Sequence, residues 1–143
     1  MRIASIISGK SVETISASAS LHDLVTSLRT HHIGALVVSP DGKNIQGIVS
    51  ERDVVRSMPN RMDQLISLHV SDLMTTEVHT CRPESTVSEV MTLMTEHRVR
   101  HVPVVDADGL LISIVSIGDV IKRHVEELDS ERIALIEYVT ISQ

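Results

Sequence analysis

The chain has 143 residues, of which 42% are hydrophobic and 22% charged, which excludes a largely disordered polypeptide and suits one compact domain or two small units sharing a core. A formal net charge of −6 argues against nucleic acid as a partner, because phosphate-backbone binding needs a net basic face. One cysteine, Cys81, excludes an intrachain disulfide framework and suits a reducing compartment, while no apolar run reaches the length of a membrane span and no signal peptide opens the chain, so a cytoplasmic protein without a membrane partner is expected.

In chain order, Val12 to Ile15 reads as a short strand. Ser20 and Asp23 have capping-box spacing and open a helix whose Leu21, Leu24, Val25 and Leu28 form one apolar stripe. Ala35 to Val38 is a continuous apolar run, as expected of a strand covered on both faces. Pro40 to Asn44 is strong turn chemistry, joining that strand to Ile45–Val49 in a hairpin. Ser50 then caps a second helix running towards Met58. Pro59 to Leu73 is a link with one amphipathic stretch, around Met62 to Leu68.

The same order then returns. Thr86 and Glu89 open a helix, Val102 to Val105 is a buried strand, Asp106 to Gly109 a turn, and Leu110 to Val115 the return strand. Ser116 and Asp119 open the last helix. Laying Val12 over Val78 brings Leu21, Leu24, Val25 and Leu28 onto Val87, Val90, Met91 and Met94, and His31 onto His97, without a gap. Ile48-Val-Ser-x-x-Asp53 falls on Ile114-Val-Ser-x-x-Asp119. Two copies of β-α-β-β-α predict a pseudo-symmetric pair rather than a solenoid. The fold class is therefore α/β (α+β), with units over 1–60 and 70–124, a linker over 61–69, and a C-terminal helix and tail over 125–143. From Asp119 to about Val139 one helix of roughly 30 Å is expected. Its apolar Ile121, Val125, Leu128, Ile133, Ile136 and Val139 exceed what one small unit covers. Either a partner subunit covers them or the tail folds back on its own core.

The repeated Ile-Val-Ser-x-x-Asp corner is the candidate for chemistry. A Ser–Asp capping box contributes about 1 kcal/mol and needs no ligand. However, the corner recurs at the same place in both copies and lies at the carboxyl edge of a sheet, where crevices form. A helix N-terminus with a hydroxyl favours phosphate, and an Asp one turn in can accept hydrogen bonds from vicinal ribose hydroxyls. Phe and Trp are absent and Tyr138 is the only aromatic by the usual count, so a base would lie between aliphatic side chains.

In order and spacing, Gly47-Ile-Val-Ser-Glu-Arg-Asp53, Arg100-His-Val-Pro-Val-Val-Asp106 and Ser113-Ile-Val-Ser-Ile-Gly-Asp119 resemble a tandem pair of CBS domains, a Bateman module, over essentially the whole chain. The resemblance implies two units packed through their sheets, a homodimer, and a non-catalytic protein that binds an adenosine-containing ligand and regulates an unknown partner. AMP is the first expectation, with ATP, ADP, NAD(H) and S-adenosylmethionine as the other candidates. It also implies that each cleft combines strand residues of one copy with the Ser–Asp pair of the other. One cleft would hold Ile33, Gly34 and Ala35 with Ile114, Ser116 and Asp119. The other would hold Val99, Arg100 and His101 with Ile48, Ser50 and Asp53.

The two clefts differ. Ser113 stands where the signature has glycine, and Gly118 where the first copy has Arg52. Arg52 and Arg100 are the phosphate candidates, with Lys10 the weaker third. They gather on the cleft of Val99 to His101 and Asp53, which is expected to take the more highly phosphorylated ligand. His31, His32, His97 and His101 lack the accompanying Cys or spacing of a metal site. Cys81 has no evident base, and no paired nucleophile and base supports an enzyme. The competing readings are a module whose clefts stay empty and, behind it, an enzyme using the Asp residues.

Overall fold

The computed structural model describes residues 1–9 and 11–142. In the first half, β1 (Thr14–Ile15) runs parallel to β2 (Ala35–Val38), which pairs antiparallel with β3 (Gly47–Ser50). Helices α2 (Leu21–His31) and α3 (Glu51–Arg61) complete the unit. In the second half, β4 (His101–Val105) and β5 (Leu111–Ser116) form an antiparallel pair between α5 (Val87–His97) and α6 (Ile117–Ile141). Mixed helix and strand in two repeated units is the class the sequence predicts.

Local chemistry sets the helix ends. Ser20 Oγ accepts the Asp23 N–H at 3.0 Å and Thr86 Oγ1 accepts that of Glu89 at 3.1 Å. Both helices end on a residue with left-handed backbone, His32 at φ 53° and Arg98 at φ 54°. The hairpin turn of the first unit is gathered by Asp41, whose carboxylate accepts the N–H groups of Asn44 and Lys43 at 2.8 and 2.9 Å. Those bonds hold its carboxyl well below the usual carboxylate range. Asp41 ties the turn down as far as Asn44, so β3 starts at Gly47 rather than at Ile45.

The strands are shorter at the outer edge than the hydropathy pattern suggests. Only Thr14 and Ile15 remain of the expected Val12–Ile15, and the counterpart in the second half is a single bridge from Cys81 to Val104. Helix α3 continues through Pro59 to Arg61, and a 3-10 turn follows over Met62–Ser67.

Two aliphatic cores result, and each is closed by a segment lying ahead of the other half. Leu68 and Val70, which begin the short helix α4 (Val70–Leu73), are buried in the first core with Leu24, Leu36 and Val49. Ile3, just ahead of α1 (Ala4–Ile7), is fully buried in the second with Val87, Val102 and Val115. The backbone bonds repeat: Val70 N–H donates to Ala19 at 2.9 Å and Ile3 N–H to Ser85 at 2.9 Å, while Leu21 and Val87 donate back to Leu68 and Met1, each at 3.0 Å.

Helix α6 spans 25 residues, roughly 37 Å. Its first turns lie against α5, α1 and β5, and Val120 is buried. From Leu128 to Ser142 every residue is exposed. The tail therefore does not fold back on its own core, which leaves seven large side chains, among them Leu135, Ile136 and Tyr138, open to solvent.

Candidate functional site

The C-terminal end of β3 and the start of α3 make the first Ser–Asp corner. Ser50 donates to Asp53 Oδ2 twice, from its N–H at 2.7 Å and its hydroxyl at 3.0 Å. In the sheet Ala35 is the partner of Ser50, so Ala35 and Gly34 stand beside the corner, with the Glu51 N–H donating to the Gly34 carbonyl at 3.0 Å. The second corner repeats this. Ser116 N–H and hydroxyl donate to Asp119 Oδ2 at 2.9 and 3.0 Å, His101 is the strand partner of Ser116, and the Ile117 N–H donates to the Arg100 carbonyl at 2.8 Å.

A cavity of about 330 Å³ lies between the halves, a volume in the range of small-molecule sites, about 300–1,000 Å³. The first half lines it with Gly34, Ala35, Ile48, Ser50, Arg52 and Asp53, and the second with Val99, Arg100 and His101. Gly34 and Ala35 thus also border the cavity of the Ser50–Asp53 corner, since strand pairing holds Ala35 opposite Ser50. Ile33 lines a separate apolar groove with Val25, Leu28 and Val54. Ile114, Ser116 and Asp119 line neither. Lys10 lies outside the described residues.

Several residues beyond the expected set line the cavity as well. Arg56 and Arg98 join Arg52 and Arg100, setting four guanidinium groups against the carboxylates of Glu51, Asp53 and Glu77. Arg56 follows Arg52 by one helical turn, a spacing that could have marked it. Thr75, Glu77, Val78 and His79 form another wall. Thr75 is drawn in by reciprocal backbone bonds with Ile48, both 2.9 Å. Gly47 makes that approach possible, since a side chain there would begin 2.8 Å from the Thr75 carbonyl oxygen and 3.0 Å from Met74 Sδ. At the same wall the rings of His79 and His97 stack with centroids 3.7 Å apart and planes 18° apart. Both imidazoles line the cavity beside its aliphatic residues.

His101 reaches across to the first half, its Cε1 lying 3.2 Å from where a side chain on Gly34 would begin. Burial pushes its pKa below the ordinary histidine value, against the opposing pull of Glu51 and Asp119. Burial likewise pushes the Cys81 thiol up to about 11, which keeps it a protonated, inert group. Among the described residues no cluster of three or more His, Cys, Asp or Glu side chains could hold a metal ion, and no helix is long and apolar enough to cross a membrane.

Comparison with known proteins matches the CBS-domain family model twice, at residues 3–60 and 70–126. A mitochondrial CBS-domain-containing protein of Arabidopsis thaliana, CBSX3, is 39% identical over 124 residues, covering 84% of this chain but only 60% of the plant protein. Among solved structures, the CBS-domain protein ATU1752 of Agrobacterium tumefaciens superposes with a TM-score of 0.81 at 33% identity, covering 87% of this chain and 99% of that one. CBSX2 of Arabidopsis thaliana, solved in complex with AMP, superposes with a TM-score of 0.74 at 28% identity, covering 87% of this chain and 96% of that one.

Proposed function

The chain belongs to the CBS-domain family, in two tandem copies, and from that premise we propose that it is a regulatory protein that binds an adenine nucleotide in the cavity between its halves. The observation that carries the reading is the meeting of the Ser50–Asp53 corner with Val99, Arg100 and His101 around one hollow. AMP is the leading ligand, as in the CBSX2 complex, with ATP, ADP, NAD(H) and S-adenosylmethionine as the others to be compared. Asp53 Oδ2 is held by Ser50, and among the described residues no donor stands on its Oδ1, which suits ribose hydroxyls. Four guanidinium groups offer charge-assisted bonds to phosphate, and the Ile48 side chain and the stacked imidazoles offer apolar and π-surface to a base.

The protein acts without catalysis. A ligand that bridges the first corner and the strand end of the second half ties the halves together, and it shifts their equilibrium by its differential affinity for the closed arrangement. A regulated partner in the cytoplasm reads that shift. The protein works as a homodimer, with the bare end of α6 as the contact.

Isothermal titration of the whole chain with each nucleotide tests the binding reading. At least one should bind, and Asp53→Ala should weaken it ten-fold or more. Asp119→Ala removes the matching cap outside the cavity and serves as the control for lost helix capping. No heat with any of the nucleotides at millimolar concentration would favour a module whose clefts stay empty.

A further inference from the structure

Helix α6 presents one continuous seam to solvent. At about 3.6 residues per turn, Ile121, Val125, Leu128, Arg132, Leu135 and Val139 fall on a single face, in alternating steps of four and three residues. All six are exposed. Ile121 and Val125 form the root of the seam, on the part of α6 whose other face packs on the body through the buried Val120. From Leu128 onwards the seam runs along the bare tail. Steps of four and three residues are the spacing by which two helices interlock, so the occupant that fits is a helix of the same period.

The charges on and beside the seam say which way that helix runs. Arg132 is the one cation within it, and Asp129 stands one turn earlier at its edge. Among the described residues neither takes part in an ion pair. Two copies of α6 running in the same direction would set the two Arg132 side chains in one layer. Two copies running in opposite directions, about a twofold axis level with Ser130, set Arg132 level with Leu128 of the partner and beside the partner's Asp129. The helix ends match as well. The last turn of α6 holds no basic residue to offset its partial negative charge. Lys122 lies on the same edge of the helix as Asp129, and among the described residues it too has no ion-pair partner. Opposite directions carry the partner's Lys122 to that last turn.

We propose that two copies of this chain pair through α6 in opposite directions, each bare tail lying along the root of the other, with Arg132 and Asp129 selecting the direction. The inference rests on the homodimer reading above and adds the direction, the register and the residues that set them. In this register Val125 faces Leu135 of the partner and Ile121 faces Val139 of the partner.

Cysteine cross-linking of the whole chain, with light scattering across a concentration series, tests this. Under copper–phenanthroline oxidation Val125→Cys alone and Leu135→Cys alone should give no linked dimer, because each residue lies about 15 Å along the seam from its own twin. An equimolar mixture of the two variants should give one. The unaltered chain, whose cysteine is buried, is the control. Arg132→Glu and Asp129→Arg should each raise the dissociation constant at least ten-fold, and the two variants mixed should pair with each other more tightly than either pairs with itself. A Leu135→Cys chain that links to itself, or a mixture that is dimeric yet unlinked, would overturn the proposal. Arg132→Glu that dimerises as tightly as the unaltered chain would overturn it even if the cysteine variants failed to fold. An unaltered chain that is monomeric throughout the series would instead overturn the homodimer reading on which it rests.

Discussion

Gly47 and Ser113 occupy the same place in the two copies and are in opposite situations. Gly47 has no room for a side chain, because the Thr75 carbonyl and the Met74 sulfur stand against its α-carbon. Ser113 is 2% exposed and among the described residues its hydroxyl has no hydrogen-bond partner, a state that costs about 1–3 kcal/mol for a buried polar group. Ser113→Ala should therefore stabilise the protein by about 1 kcal/mol, seen as a melting temperature raised by a few degrees. Gly47→Ala should destabilise it by about 1–3 kcal/mol through overpacking and push Thr75 off the cavity wall, weakening ligand binding as well. The departure of Ser113 from the glycine of the signature was visible in the sequence. Its cost was not, because an orphaned hydroxyl is a property of neighbours and not of spacing. Glu77 and His79 were invisible for a similar reason: they reach the cavity through the backbone pairing of Thr75 with Ile48, which no local pattern announces.

The helix starts were legible because their chemistry is local: Ser20, Thr86 and Ser116 each bond the backbone three residues on. Strand extents were less so. The edge strand of the second half shrank to one bridge at Cys81, since edge pairing depends on what a neighbouring strand offers. Helix α6 carries the clearest element-scale expectation. An isolated stretch of about four turns is marginal in water, yet Leu128, Ile133, Leu135, Ile136, Tyr138, Val139 and Ile141 are each more than half exposed. Burying one such aliphatic side chain contributes about 1.5–3 kcal/mol, enough for a few of them to hold two chains together. The homodimer proposed through this end of α6 should be lost in a chain ending at Glu127, with its dissociation constant raised at least a hundred-fold, as read by light scattering across a concentration series. A truncated chain that stays dimeric would place the contact on another face.

At the scale of the molecule, the repeat made the architecture readable: two units in register could only pair, and the family resemblance supplied how. The repeat did not reveal that Gly34 and Ala35 border the same cavity as Val99, Arg100 and His101. Nor did it reveal that each core borrows a residue from ahead of the other half. Ile3 sits among Val87, Val102 and Val115, and Val70 among Leu24, Leu36 and Val49. Severing the peptide after Ile66, which is fully exposed in the 3-10 turn, would yield two fragments that each own the other's missing stopper. Neither should hold native circular dichroism in solitude, whereas an equimolar mixture should recover it. The protein is thereby a single cooperative body despite its duplicated text, and a fault in either copy propagates to its sibling.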